Sequence, residues 1–229
     1  MIKAETSISL TGLYTGTVTQ NYGITTAMAK QPVTGRMYLS ETGLEGDECA
    51  EPKFHGGTER ALHQYPLEHY AFWQQKYPER EWVSSGMGEN ISTLGMTEDN
   101  VRIGDRYRWG EAIIEISQPR SPCFKLNCRW DLQGFSETMQ TTGRCGWLYR
   151  VIQPGFIRAA APLVLIQAGD ERFTVKRVLD WYFNDPMNPD KLRLLQTCEA
   201  LSKSWQSTIA KRLETGELEN WHFRLNGKA

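Results

Sequence analysis

No stretch of this 229-residue chain approaches the roughly 18 consecutive apolar residues that a membrane-spanning helix needs. Met1 to Leu10 holds Lys3, Glu5, Thr6 and Ser7 and lacks the charged start, apolar run and small-residue cleavage site of a secretory leader. The cytosol is the expected compartment, with no membrane partner. Cysteines are few, at 49, 123, 128, 145 and 198; the number is odd and no pair is spaced Cys-x-x-Cys. That pattern argues against a disulfide framework and a zinc knuckle. Cys123 and Cys128 match only the first spacing of a plant-type iron–sulfur run, and no glycine fingerprint for a nucleotide is present. An excess of positive charge is also lacking: 26 Lys or Arg stand against 27 Asp or Glu, and the net charge of −1 gives no electrostatic case for bulk nucleic-acid binding. Residues 170 to 229, where three short helices could mimic a helix-turn-helix, carry ten Lys or Arg against nine Asp or Glu. A DNA reader needs a larger basic excess, so a docking or structural tail is expected there.

The stretch from Glu111 to Asn127 organises what is present. Ala112-Ile113-Ile114-Glu115-Ile116-Ser117 is a mostly β-branched run suited to a buried strand, and Pro119 removes a ladder donor and ends it. Gly110-Glu111 fits a two-residue hairpin turn behind it, joining a strand that contains Tyr107 and Trp109. The strand delivers the loop Arg120-Ser121-Pro122-Cys123-Phe124-Lys125, whose backbone Pro119 and Pro122 stiffen and in which two cations flank a thiol. Such surroundings favour the thiolate. An inert core cysteine, a nucleophile and a soft metal ligand are all compatible with that loop.

Before this centre, Leu10 to Val18 and Val33 to Leu39 read as strands of an antiparallel start. Gly43 to Asp47 and Pro52 to Gly57 read as loops, the second with His55 ahead of two glycines whose N–H groups could face an anion. Arg60 to Tyr65 can form a strand, and Leu67, Tyr70, Trp73 and Tyr77 mark the buried side of a following helix. Asn90 either closes an Asx-turn or offers its amide to a heterocycle edge. Beyond the cysteine loop, Leu132, Phe135 and Met139 space a short helix with Asp131 as cap and Gly143 as stop. Strands follow at Cys145 to Val151 and Leu163 to Ile166. Many short strands without βα alternation predict a mainly β body, an antiparallel barrel or sandwich over 1–168. Thr174 to Phe183, Asp190 to Cys198 and Ser202 to Leu213 predict a three-helix domain over 169–229.

Pro119-Arg120-Ser121-Pro122-Cys123-Phe124-Lys125 resembles the cysteine motif of the MOSC family, the domain named after the C-terminal part of molybdenum-cofactor sulfurase. Gly43 to Asp47, His55-Gly56-Gly57, Arg60-Ala61-Leu62, Gly88-Glu89-Asn90, Val101 to Asp105 and Gly146 to Val151 follow in that family's order. The tail resembles the three-helix extension of bacterial members that confer resistance to N-hydroxylated bases such as 6-hydroxylaminopurine. The resemblance implies a MOSC-type antiparallel β-barrel and a molybdenum cofactor ligated by Cys123. It further implies that His55 and Asp47 line the same cavity as catalytic residues. Arg60, Arg120, Lys125 and Arg150 would face the cofactor's phosphate, and Asn90 its pterin edge. The implied activity is reduction of N-hydroxylated compounds, with electrons from a separate flavoprotein or ferredoxin-type donor. A carrier that passes on cofactor or sulfur is the alternative; a homodimer is an admitted assembly.

Overall fold

The computed structural model describes residues 7–227, so the first six residues of the Met1 to Leu10 segment lie outside it. The central hairpin forms as the sequence predicts: Arg106–Trp109 pairs antiparallel with Ala112–Pro119, Trp109 opposite Ala112, and Gly110 turns the chain at φ 60°. A side chain at Gly110 would also run into the Phe156 carbonyl, so only glycine serves this turn. Ala112, Ile114 and Ile116 are fully buried, and Glu115, Ser117 and Gln118 nearly so; the strand is therefore covered on both faces. Burying each isoleucine contributes about 1.5–3 kcal/mol.

The hairpin sits inside a nine-stranded sheet. In spatial order the strands are Ser7–Ile8, Leu163–Gln167, Arg106–Trp109, Ala112–Pro119, Trp147–Gln153, Leu62–Pro66, Ile91–Thr93, Leu10–Thr15 and Gln31–Pro32. Every neighbouring pair is antiparallel except Leu62–Pro66 with Ile91–Thr93. The edge strands are two residues long and do not pair with each other among the described residues, so the pairings do not establish the expected barrel; Ser9 alone separates Ser7–Ile8 at one edge from Leu10–Thr15 beside the other, so the chain itself links the two sides of the sheet. Pro32, lacking an N–H, is suited to such an edge. The strand expected from Val33 to Leu39 forms as Arg36–Ser40 and pairs with Gly155–Arg158 in a separate three-stranded sheet.

Several local expectations change. Arg60 belongs to a 3-10 turn, Thr58–Arg60, and the strand starts at Leu62. A helix at Lys125–Trp130 was not foreseen; Asp131, at φ 48°, ends it instead of capping the next, which spans Phe135–Thr142 and stops at Gly143. The tail contains Val175–Leu179 continued by a π turn over Asp180–Asn184, then Pro189–Gln196 and Lys203–Thr215. Asn188 caps the second, accepting from the Lys191 N–H at 3.2 Å. Tyr182 stacks on Trp205 at 3.9 Å and Phe183 meets it edge-on, forming the tail's aromatic core. A further short helix, His222–Asn226, returns to the body. The Ser202 N–H donates to the Ser117 carbonyl at 2.9 Å, which fixes the tail to the end of the central strand. No helix among the described residues is long and apolar enough to cross a membrane.

Candidate functional site

Where the central strand stops, the Arg120 N–H donates to the Gly146 carbonyl at 3.0 Å and anchors the start of the cysteine loop. The Leu126 N–H closes the loop's far side onto the Cys123 carbonyl at 3.0 Å. Cys123 is thus held between a strand end and a helix start, 6% exposed. Its Sγ lies 4.0 Å from His55 Nε2. Burial raises the thiol pKa, but the His55 hydrogen bond and charge, Arg120 and the Lys125 backbone N–H together outweigh it and bring it down to about 7. Burial instead pushes Cys145 up, and Cys198 up to about 11, so those two remain thiols at neutral pH.

Cys123 opens onto a cavity of about 1100 Å³. Asp47, His55, Arg60, Asn90, Arg120 and Lys125 all line it, so seven of the eight residues singled out in the sequence converge. Arg150 is the exception. Its guanidinium is paired with Glu115 and Glu59, each at 2.6 Å, and it is absent from the cavity wall. Alternation along Trp147–Gln153 turns it toward buried Glu115 on the neighbouring strand, which removes it from the phosphate role.

Three other assignments change in kind. The Asn90 amide is consumed within the fold: Nδ2 donates to Asp47 Oδ2 at 2.7 Å and to the Tyr14 carbonyl at 3.2 Å, while Oδ1 accepts from the His63 N–H at 3.1 Å. It orients Asp47 and leaves little hydrogen-bonding capacity for a pterin edge. Asp47 in turn accepts from the Gly16 N–H at 2.8 Å and forms a buried ion pair with Lys30, a partner the sequence did not reveal. The Lys125 ammonium is bound by Glu51 at 2.9 Å and the Thr25 carbonyl at 3.0 Å, so it supports the thiolate through its backbone N–H rather than its charge. Glu51 also lies 3.5 Å from His55 Nε2, four residues along the same turn, an i,i+4 spacing present in the sequence.

Arg60 and Arg120 remain cationic groups on the wall. Arg60 donates to the Phe54 carbonyl and, at 3.0 Å, to Ser204 Oγ of the tail. Arg120 has no ion pair among the described residues; its Nη1 lies 3.4 Å from Met139 Sδ. The tail completes the enclosure with Tyr182, Trp205, Trp221, Phe223 and Arg224, none of which the sequence marked as site residues. His63, on the wall beside Arg120, is held neutral by burial and by that nearby charge. A thiolate at one point of a large cavity, with unpaired positive charge beside it, is a site for an anionic ligand that presents a soft centre.

A mixed, mostly antiparallel sheet that ends in such a loop, followed by a helical tail, defines a cysteine-centred β domain with a C-terminal helical appendage. Residues 51–171 match the MOSC domain and residues 173–216 the YiiM-like, 3-alpha helix domain, and the chain belongs to the MOSC-domain family. It is 46% identical to protein YiiM of Escherichia coli over 94% of this chain and 97% of that one. A crystal structure of YiiM from Escherichia coli superposes with a TM-score of 0.83 at 40% identity, covering 96% of this chain and 98% of that one. A reductase of Gibberella moniliformis is 40% identical over 68% of this chain, which spans 28% of that longer protein.

Proposed function

We propose that the protein is a molybdenum-cofactor-dependent reductase that converts N-hydroxylated compounds such as 6-hydroxylaminopurine to the corresponding amines. The observation that carries this reading is Cys123, a buried thiol with a pKa of about 7 facing a cavity of about 1100 Å³. MOSC domains in general are associated with this cofactor, and the resemblance to a protein named as a reductase points the same way. The residues fit the group: Cys123 supplies one soft ligand, Arg60 and Arg120 supply positive charge for a phosphate, and the volume accommodates a pterin. When bound, the molybdenum centre supplies the two-electron removal of oxygen from nitrogen.

The chain's own residues then have separate tasks. Cys123 holds the cofactor as a thiolate, kept ionised by His55, Arg120 and the Lys125 N–H. His55, partly exposed at the cavity wall, can carry a proton at Nε2, the nitrogen that both Cys123 Sγ and the Glu51 carboxylate approach. Reduction of R–NH–OH to R–NH2 and water consumes two electrons and two protons. The protons enter through His55 and solvent; the electrons come from a separate flavoprotein or ferredoxin-type donor.

The test is turnover: protein made in a host that supplies the cofactor is given 6-hydroxylaminopurine and a flavin-based reductant, and 6-aminopurine is quantified by chromatography. Wild-type protein should form it, and Cys123→Ala should not. Metal-loaded protein that forms no amine yet transfers its cofactor to a metal-free acceptor enzyme would replace the reductase reading with a carrier.

A further inference from the structure

Both residues flanking Cys123 are hydrogen-bonded by one residue from the far end of the chain. Arg224 Nη1 donates to the Pro122 carbonyl at 2.6 Å, and the Arg224 carbonyl accepts from the Phe124 N–H at 2.7 Å. The second guanidinium nitrogen is fixed by Gln140 Oε1 at 2.6 Å on the neighbouring helix. One residue further, the Leu225 carbonyl accepts from Asn127 Nδ2 at 2.9 Å and Ser136 Oγ at 2.8 Å, so the anchoring continues on both helices that follow the loop. Gly227 lies against the Phe124 ring, where a side chain would come within 3.1 Å of it. The helix His222–Asn226 lies beyond both matched domains, which end at residues 171 and 216.

We propose that Arg224 is a positioning residue that fixes the Cys123 loop from the C-terminal end, so that the thiol's place in the cavity depends on the helix His222–Asn226. Prolines restrict the loop locally, but they do not hold it against the body; Arg224 does so on both sides of the thiol. Gln140 makes the guanidinium rigid, since two of its nitrogens have fixed partners. The functional consequence rests on the reading of Cys123 as the molybdenum ligand, because a loosened thiolate holds a metal less well. The geometric claim does not.

The experiment is native-state alkylation of metal-free full-length protein at one pH, read site by site by mass spectrometry. Cys49 in the same molecule serves as internal reference, and Arg224→Ala, Arg224→Lys and Ile209→Val are compared with wild type. Arg224→Ala removes the guanidinium bonds to the Pro122 carbonyl and to Gln140 and keeps the backbone bond from Phe124; losing the side-chain hold on the loop should raise the population of the opened loop, and hence Cys123 alkylation, by about tenfold. Cys49 should be unchanged, and Arg224→Lys, which can still reach a carbonyl, should fall between wild type and Arg224→Ala. Ile209→Val lowers global stability from a buried site in the tail and should leave Cys123 at the wild-type rate. Equal Cys123 rates in wild type and Arg224→Ala overturn the proposal, as does a parallel rise at Cys49 and Cys123, which marks general loosening. Either failure leaves the molybdenum reading intact, whereas loss of that reading in a metal analysis leaves the alkylation result standing.

Discussion

Asp47→Asn separates a structural carboxylate from a catalytic one. The substitution keeps the side chain's shape but removes its charge, leaving the Lys30 ammonium buried without its counter-ion; the two side chains are 7% and 12% exposed for Lys30 and Asp47. Breaking a buried pair from one side costs about 3–5 kcal/mol, because the surviving charge has lost its compensation. For a chain of this size each kcal/mol moves Tm by about 2–4 °C, so a fall of about 10 °C is expected. Thermal melts of metal-free protein, followed by circular dichroism, measure it without reference to activity. Lys30→Met completes a double-mutant cycle, and the double variant should recover part of the loss because no orphaned charge remains. A Tm for Asp47→Asn within about 2 °C of wild type would refute the reasoning and return Asp47 to the role implied by the family resemblance.

Arg150→Met should lower Tm while leaving cofactor content at the wild-type level, since the guanidinium serves Glu59 and Glu115 outside the cavity; metal analysis with a melt checks both halves. Asn90→Ala removes three hydrogen bonds, to Asp47, Tyr14 and His63, and should cost about 3 kcal/mol in urea unfolding. The Cys123 thiol, at about 7 in the fold against about 8.5 in an unfolded chain, adds stability in full above the unfolded value. That contribution is lost as pH falls through about 7, and Cys123 alkylation rates followed against pH in the metal-free protein should rise around the same value.

The hairpin and the loop it delivers were legible because the information is local. A β-branched run, a two-residue Gly-Glu turn and Pro119 specify strand, reversal and stop within about a dozen residues. The helical tail was legible from spacing, although its last long helix runs on past Leu213 to Thr215. How the sheet's edges meet was not legible, because edge pairing depends on contacts between chain segments far apart in sequence, and two-residue strands carry no periodic signal. The site divides in the same way. Cys123, His55 and Arg120 were marked by loop chemistry and family pattern, and they converge. Asn90 and Lys125 carried the expected groups, but Asp47, Tyr14 and Glu51 occupy them from distant segments. Arg224 had no local mark: its partner Pro122 lies 102 residues away.

Molybdenum and pterin content of protein purified from a cofactor-producing host, wild type against Cys123→Ala, tests thiolate ligation most directly. One molybdenum and one pterin per chain in the wild type, with the metal lost from a Cys123→Ala variant of unchanged fold, is the expected result. Equal metal in both proteins, or none in either despite confirmed cofactor supply, would contradict it.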